Sequence, residues 1–432
     1  MSVAAKNLWT RASGPATAML LAAVVLLTAG SPRAQTGTLA ITNARILPVS
    51  GPVIERGTIL VENGRVTAVG AGVSPSGAAN VIDAKGRTVT PGFIESVTQI
   101  GVVEIELSAQ GTNDGSISGA GGLSAAFRVV DAFNANSTVI PVTRVEGVTR
   151  AMVVPSGSGG LFAGQGAIVA LTGDHVPAAI TKAPAAMVAV LGERGASLAG
   201  GSRAAAMARL REALQDARDY AEHRDAWQDA RRRPYALGRL DLEALQPVLR
   251  REIPLAVEAH RASDLLAAMR IAEEFDVRLV LLGAAEGWMV ADELARQKVP
   301  VVIKPLTNLP DFDRLGATLE NAARLAKAGV EIVISTFDTH NARNLRQEVG
   351  NAIAYGLDPA RALEAVTLAP ARVWGVADRL GSIEPGREAD LVIWSGDPFE
   401  LLTTADVVII AGREMPKTTR QRELFEKYRT LK

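Results

Sequence analysis

The sequence predicts an α/β protein in which a (β/α)8 TIM-type barrel is inserted into a small β-sandwich formed by both chain ends. Short strands separated by turns fill residues 38–89 and return from residue 381 onward. Between these segments, most clearly after residue 250, strands alternate with helical patterns of about 10–15 residues. This alternation is typical of βα units on a parallel sheet.

The length of the chain predicts more than one structural unit. A chain of 432 residues is longer than a single hydrophobic core usually allows. We assign residues 35–90 and 381–432 to a composite β-sandwich domain, and residues 91–380 to the barrel. Pro91 begins the stretch PGFIESVTQIG, which is predicted to be a buried strand that leaves the sandwich and enters the barrel.

The first 34 residues have the pattern of a signal peptide. Lys6 and Arg11 provide positive charge, and the apolar stretch 16–29 follows. This stretch is shorter than the roughly 20 residues that span a bilayer. We expect cleavage and export, to the bacterial periplasm, with no membrane span in the mature chain; an uncleaved anchor is the alternative.

Composition excludes several kinds of site. Lys plus Arg and Asp plus Glu both number 46, so no bulk charge favours nucleic acid or an anionic membrane. The absence of cysteine excludes disulfides, thiolate nucleophiles and cysteine-ligated metals. We expect a small-molecule substrate or ligand and no nucleic-acid partner. A homodimer is the commonest assembly among soluble oligomers.

Local patterns predict turns and helices in several places. The Asn-Gly pair at 63–64 predicts a type I′ hairpin turn, because both central residues of that turn need a positive φ. Apolar spacing predicts a long helix over 201–233, and Ser263 is predicted to cap the helix that runs to residue 275. A further helix is expected over 313–328. The Gly-, Ser- and Asn-rich segment 110–123 is expected to be a loop.

Two long stretches carry a resemblance to a known family. The chain resembles the amidohydrolase superfamily, nearest its imidazolonepropionase-like branch, in its opening ITNARILPV…GTILVENGRVTAVG…VIDAKGRTVTPGFIES and its closing NLRQEVGNAIAYGLDPARALEAVTLAPARVWGVADRLGSIEPGREADLVIWSGDP. This resemblance implies a metal-dependent (β/α)8 barrel with a split β-sandwich. It also implies hydrolysis of non-peptide C–N bonds in small amide or cyclic substrates.

The metal-binding positions of that family are altered in this chain. In the family pattern PGxIDxHxHxG, the two histidines bind catalytic metal, whereas here Val97 and Gln99 stand in their places and Glu95 replaces the aspartate. Val97 has no ligand atom, and Gln99 is a poor ligand for zinc. A histidine expected before Gly283 is also missing. The resemblance therefore implies a degenerate site with at most one divalent ion, zinc or manganese, or none.

Four polar side chains fall at the predicted ends of barrel strands, where TIM-barrel active sites lie. By the resemblance, Asp338 stands at the family's catalytic aspartate position or one residue past it, and we assign it as the proton acceptor. Glu258, His260 and His340 are candidate ligands of one divalent ion. Alternatively, Glu258 pairs with a neighbouring arginine and His260 is a hydrogen-bonded residue of the pocket.

Two functions follow from these patterns. The first is an exported hydrolase acting on C–N bonds. The second is a non-catalytic barrel that binds a small molecule or a partner through the same pocket. The sequence has no Gly-x-Ser-x-Gly motif, so it gives no support to a serine hydrolase.

Overall fold

The structure is a computed structural model that describes residues 37–104, 113–116, 124–156, 159–229, 231–306 and 311–430. Two compact units divide the chain, Met1–Ala34 and Gln35–Lys432, and every described residue belongs to the second. The predicted signal peptide and most of the predicted loop 110–123 lie outside the described residues. No helix in the described part of the chain is long and apolar enough to cross a membrane.

Sixteen strands occur in the described residues, and they form two eight-stranded sheets. The strands are β1 (Leu39–Ile46), β2 (Ile54–Glu62), β3 (Arg65–Gly70), β4 (Asn80–Asp83), β5 (Thr88–Pro91), β6 (Phe93–Thr98), β7 (Val148–Val153), β8 (Phe162–Ala170), β9 (Ile180–Val190), β10 (Leu255–Ala259), β11 (Leu279–Gly283), β12 (Val301–Ile303), β13 (Ile332–Ile334), β14 (Leu391–Trp394), β15 (Ala405–Ile410) and β16 (Arg413–Glu414).

Helices follow most of the barrel strands. Those in the described residues are α1 (Val139–Arg144), α2 (Val176–Ala179), α3 (Gly192–Leu198), α4 (Arg203–Glu222), α5 (Arg224–Gln228), α6 (Arg239–Ala244), α7 (Gln246–Leu249), α8 (Ala262–Phe275), α9 (Ala291–Arg296), α10 (Asn321–Lys327), α11 (Leu345–Ala354), α12 (Pro359–Glu364), α13 (Leu368–Val373) and α14 (Arg420–Tyr428). Short 3₁₀ helices occupy Val129–Ala132, Gly287–Val290 and His340–Asn344.

The first sheet is the nearly closed barrel that the sequence predicts. Its strands run in chain order from β6 to β13. Neighbouring strands are parallel except around β8, which is antiparallel to both β7 and β9. No long helical crossover separates β7, β8 and β9 along the chain, so these strands pair as antiparallel neighbours. The α/β barrel fold is thus confirmed, with one strand reversed.

Side chains join the two edges of this sheet where β6 meets β13. The buried carboxylate of Glu95 on β6 accepts hydrogen bonds from Ser335 Oγ and from the backbone N–H of Thr336, the latter at 3.1 Å. Thr98 Oγ1 donates to the backbone oxygen of Asp338 at 2.8 Å. These bonds fix the end of β13 against β6, and so fix the chain segment that carries Asp338.

The second sheet combines strands from both chain ends. Its order is β16-β15-β14-β5-β1-β2-β3, with β4 paired to β1. Strand β5 from the first part of the chain pairs antiparallel with β14 from the last part. The β2–β3 hairpin turns at Asn63 and Gly64, with φ angles of 51° and 77°, which confirms the predicted turn.

A single glycine separates this sheet from the barrel. Gly92 lies between β5 and β6, and a Cβ atom there would stand 2.2 Å from Thr149 Oγ1 on β7. The chain can therefore pass this close to β7 only without a side chain at residue 92. This steric requirement explains the glycine in the stretch that begins at Pro91.

An apolar cluster built mainly from strand residues fills the inside of the barrel. Its buried members are Val97, Met152, Val154, Ala163, Ile168, Ala185, Ala186, Val188, Ala256, Val280, Leu282, Val302, Val333, Ala369, Val373 and Trp374. Leu282 stands where the family resemblance expects a histidine, and it is buried in this cluster. The Trp374 indole donates to Ser96 Oγ at 3.2 Å, so its polar atom has a partner inside the core.

Two predicted helices are wrong in extent. The helix expected over 201–233 ends at Glu222, and the short α5 follows after His223. The helix expected over 313–328 begins only at Asn321. Residues 311–320 instead form a loop, because Asp313 and the backbone of Gly316 are held by hydrogen bonds to other parts of the barrel.

The predicted capping role of Ser263 is also wrong. Helix α8 begins at Ala262, and no side-chain cap is supplied by its N-cap residue Arg261. The carboxylate of Glu286 accepts the N–H of Ala262 at 2.9 Å instead. A negative charge at this end of a helix is favourable, so a residue distant in sequence replaces the local cap.

Candidate active site

A cavity of about 400 Å³ opens at the C-terminal ends of the barrel strands. It is lined by residues at or just after β6, β7, β10, β11, β12 and β13, and by two arginines from helix α3 and the 311–320 loop: Val97, Thr98, Gln99, Val154, Pro155, Ser156, Arg194, Glu258, His260, Gly283, Lys304, Arg314, Phe337, Asp338 and Thr339. Active sites of TIM barrels lie on this face, because the loops that follow the strands converge there.

A larger groove of about 700 Å³ lies away from these strand ends. It is lined by residues such as Arg346, Leu402 and Arg422, which come from helix α11, the loop before β15 and helix α14. None of the sequence-predicted site residues lines it. We therefore take the smaller cavity as the candidate active site.

The structure brings together most of the side chains that the sequence singled out. Glu258, His260 and Asp338 line the cavity, as do the altered positions Val97 and Gln99. His340 is not among the lining residues. Its Nε2 lies 2.7 Å from the backbone oxygen of Glu104.

Asp338 follows β13 and is half-buried. Its Oδ1 accepts the backbone N–H of Asn341 at 2.8 Å, and its Oδ2 accepts the side-chain amide of Asn341 at 3.1 Å. Phe337 adopts a left-handed φ of 53°, a conformation that is uncommon for a bulky residue. The strand alternation is broken there, so consecutive residues 337 and 338 both line the cavity.

His260 follows β10 and packs against the end of β11. A Cβ atom at Gly283 would stand 2.2 Å from His260 Cε1, so the imidazole occupies space that only glycine leaves open. Burial, reinforced by the positive charge of Arg314, lowers the pKa of His260 to about 4. The imidazole is therefore neutral near pH 7. Its Nδ1 is buried and has no hydrogen-bond partner among the described residues.

Three basic side chains in the cavity were missed by sequence reasoning. Arg194 lies on α3, with its Nη1 at 3.5 Å from Glu258 Oε2, as in the alternative that pairs Glu258 with an arginine. Lys304 directly follows β12, so its position at a strand end was a signal in the sequence. Arg314 gave no such signal, because its segment is a loop rather than the predicted helix.

The donor set of the cavity does not match a divalent metal centre of the family type. Val97 offers no ligand atom, and Gln99 Nε2 donates to the backbone oxygen of Gly115 at 3.2 Å. Over the described ranges of the chain, no group of three histidine, aspartate or glutamate side chains is arranged to hold a metal ion. The predicted ligands Glu258, His260 and His340 are therefore not brought together as one coordination group.

A barrel with a strand-end cavity, joined to a sheet made by both chain ends, is the architecture of amidohydrolase-type enzymes. The Amidohydrolase family model matches residues 260–419. The crystal structure of an amidohydrolase from Thermotoga maritima is 30% identical, with a TM-score of 0.80, over 88% of this chain and 100% of that chain. This chain belongs to the amidohydrolase family.

Two curated relatives match this chain over only part of their own length. Amidohydrolase tasK from Hapsidospora irregularis is 24% identical over 352 residues, which are 74% of this chain and 36% of that protein. The 5-methylthioadenosine/S-adenosylhomocysteine deaminase of Desulforudis audaxviator is 33% identical over 135 residues, 28% of this chain and 30% of that protein. The chain thus spans about a third of the length of these relatives.

Proposed function

We propose that this protein is a hydrolase that cleaves non-peptide C–N bonds of small amide or cyclic substrates, nearest the imidazolonepropionase-like branch of its family. The observation that carries the proposal is the strand-end cavity, in which the carboxylate of Asp338 and the cation of Lys304 line the same space. Support also comes from relatives named as amidohydrolases and as a deaminase.

The chemistry proposed for this cavity uses the chain's own side chains. Water adds to the substrate carbonyl carbon while its proton passes to Asp338. The positive charge of Lys304 stabilises the oxyanion that develops on the carbonyl oxygen. When the C–N bond breaks, Asp338 returns the proton to the leaving nitrogen. No step depends on a metal ion, since Val97 and Gln99 stand at the family's metal-binding positions.

Two bonds suit Asp338 to this role. The N–H and side-chain amide of Asn341 hold its two carboxylate oxygens in place. Each oxygen retains a lone pair for a water molecule, since a carboxylate accepts about four hydrogen bonds in total. Asn341 therefore orients the carboxylate of Asp338 and leaves it able to accept a hydrogen bond from a water molecule.

The test is a screen of lactams, N-acyl amino acids and dipeptides against the wild-type protein in the presence of a chelator. We expect hydrolysis of the lactams or the N-acyl amino acids, with the dipeptides as the peptide-bond comparison, and a loss of kcat of about 100-fold or more in Asp338→Asn. Lys304→Met is expected to lower kcat with little change in KM, because its charge acts on the transition state.

A matched control separates catalysis from folding in this experiment. Asp358→Asn alters an exposed aspartate at the N-cap of α12, and is expected to leave kcat unchanged. If no substrate in the screen is hydrolysed, or if Asp338→Asn retains full activity, the proposed chemistry is contradicted. A protein that binds such compounds without hydrolysing them is instead the non-catalytic barrel.

We also propose that the chain is exported to the periplasm after removal of residues 1–34. The support is the charged and apolar pattern of Lys6, Arg11 and the stretch 16–29. N-terminal sequencing of the protein recovered from the periplasmic fraction tests this. A full-length N-terminus, or recovery in the cytoplasm alone, would contradict it.

A further inference from the structure

Two buried polar atoms of cavity-lining residues have no hydrogen-bond partner in the described part of the chain. They are His260 Nδ1 and Arg314 Nε. Buried polar atoms in native proteins are nearly always paired, so such atoms need an explanation. Here both atoms belong to residues that line one cavity, so a polar group bound in that cavity is a candidate partner for them.

The loop that carries Arg314 is held in place on both sides of this residue. The carboxylate of Asp313 accepts the backbone N–H of Glu193 at 2.7 Å and pairs with Arg203. On the other side, the N–H of Gly316 donates to Glu286 Oε1 at 2.9 Å. The guanidinium is therefore presented from a fixed backbone, which lowers the entropy cost of binding a ligand.

The two acidic side chains that line the cavity, Glu258 and Asp338, each have a partner in the chain. Glu258 lies 3.5 Å from Arg194. Both carboxylate oxygens of Asp338 accept hydrogen bonds from Asn341. The half-buried guanidinium of Arg314 therefore lacks an anionic partner from these two residues.

We propose that the substrate carries a carboxylate, which binds the guanidinium of Arg314 and accepts a hydrogen bond from His260 Nδ1. This inference rests on the proposed function and names the substrate class of the same site. An arginine presents two parallel N–H groups that match the two oxygens of a carboxylate. The neutral imidazole carries one proton, and the Nδ1–H tautomer donates it to the ligand.

The placement of Arg314 leaves the reacting groups free. Lys304 and Asp338 act on the scissile bond, whereas Arg314 and His260 bind a second group of the substrate. Small amides and cyclic amides that bear a carboxylate, such as N-acyl amino acids and carboxylated lactams, have both groups. Binding energy from the remote carboxylate would then orient the amide for attack.

The experiment compares carboxylates with their primary amides as ligands of the full chain. The probes are N-acetylglycine, N-acetylleucine and pyroglutamate, each titrated beside its primary amide by thermal shift at constant ionic strength. We expect at least one carboxylate to bind about tenfold or more tightly than its amide, and this preference to vanish in Arg314→Gln. Arg314→Lys keeps the charge and should restore only part of it.

Controls make each outcome decisive. Arg209→Gln removes an exposed arginine on α4 and should keep the full preference for carboxylate. The carboxylate subsite is overturned if no probe pair differs, if the preference survives in Arg314→Gln, or if inorganic phosphate binds more tightly than every carboxylate. If Arg314→Gln does not fold, Arg314→Lys with an unchanged preference overturns it equally.

Hydrolysis is scored separately from binding in these samples. Absence of any carboxylate preference in the wild-type protein, together with hydrolysis of neutral amides, overturns the subsite and leaves the proposed function standing. Selective carboxylate binding without any hydrolysis supports the subsite and contradicts the proposed function. The two failures are therefore distinguishable in one set of proteins.

Discussion

Glu95, which stands where the family pattern has aspartate, links the first and last strands of the barrel by hydrogen bonds. Its side chain is fully buried and is surrounded by donors: the backbone N–H groups of Ser96, Val97 and Thr336, and the hydroxyl of Ser335. Burial raises its pKa to about 7, although these hydrogen bonds oppose the shift. The residue therefore changes charge close to neutral pH.

The Glu95 carboxyl predicts a pH dependence of stability with a definite sign. The folded state holds this proton up to a pH near 7, whereas the unfolded state releases it near its ordinary value of 4.5. Folding therefore takes up a proton between these two pH values. The raised pKa of Glu95 contributes roughly 3 kcal/mol to the free energy of unfolding. This contribution is fully present below the unfolded pKa and is lost as the pH rises through about 7.

Urea unfolding of wild type and Glu95→Gln at several pH values checks this contribution. We expect the free energy of unfolding of wild type, relative to Glu95→Gln, to fall between about pH 5 and pH 8. Glu55→Gln, at an exposed position, should give no such pH-dependent difference. A difference that stays constant, or grows with pH, would show that Glu95 is already ionised at low pH.

At the scale of one element, the loop 311–320 owes its conformation to a distant carboxylate. Glu286 accepts the N–H of Ala262, at the start of helix α8, and the N–H of Gly316. The Trp288 indole donates to the backbone oxygen of Gly316 at 2.7 Å. One side chain thus caps a helix and fixes the loop that carries Arg314.

Removal of this carboxylate should loosen the loop and the helix end together. In Glu286→Ala two backbone N–H groups lose their acceptor, so we expect the free energy of unfolding to fall by about 1–3 kcal/mol. Hydrogen exchange should accelerate at Gly316 and Ala262. Glu320→Ala, at an exposed position in the same loop, should change neither quantity appreciably. Unchanged protection at Gly316 would contradict this account.

The elements differ in how far the sequence predicts them. Periodic apolar residues predict β10 and its neighbours well, because each strand buries its own side chains. The cap at Ser263 and the helix over 313–328 fail, because the hydrogen bonds of Glu286 and Asp313 come from residues far along the chain. For the same reason, the sequence identifies Glu258, His260 and Asp338 as strand-end residues but does not reveal Arg314.

At the scale of the whole molecule, a buried arginine ties the barrel to the sheet formed by both chain ends. Arg150 on β7 binds Asp390 through Nε at 2.6 Å and Nη2 at 3.0 Å. Its Nη2 also donates to Glu388 Oε2 at 2.9 Å. The side chains of all three residues are less than a tenth exposed. The segment before β14 is thereby fixed to the barrel wall.

Loss of Arg150 should destabilise the protein more than loss of an exposed arginine. Arg150→Ala leaves the carboxylates of Glu388 and Asp390 buried without this partner, and we expect a loss of about 3–5 kcal/mol in the free energy of unfolding. Arg45→Ala breaks the exposed pair with Glu55 and should cost less than about 1 kcal/mol. Equal effects in urea unfolding would contradict the role given to Arg150.

The architecture as a whole is more predictable than the way its parts are joined. Strand-rich ends and an alternating middle predict a barrel within a composite sheet, and both are present. The reversal of β8 and the Arg150 contacts depend on which strands meet in three dimensions. Local patterns do not carry that information, since register and pairing are set by tertiary packing.

The most direct test of the central claim is the rate of C–N bond hydrolysis by protein stripped of metal. The best substrate from the screen is given to wild type before and after chelation, with metal content measured by elemental analysis, and to Asp338→Asn. We predict well under one equivalent of divalent metal, a rate unaffected by chelation, and loss of the rate in Asp338→Asn. A rate that disappears on chelation and returns with zinc or manganese would contradict the claim.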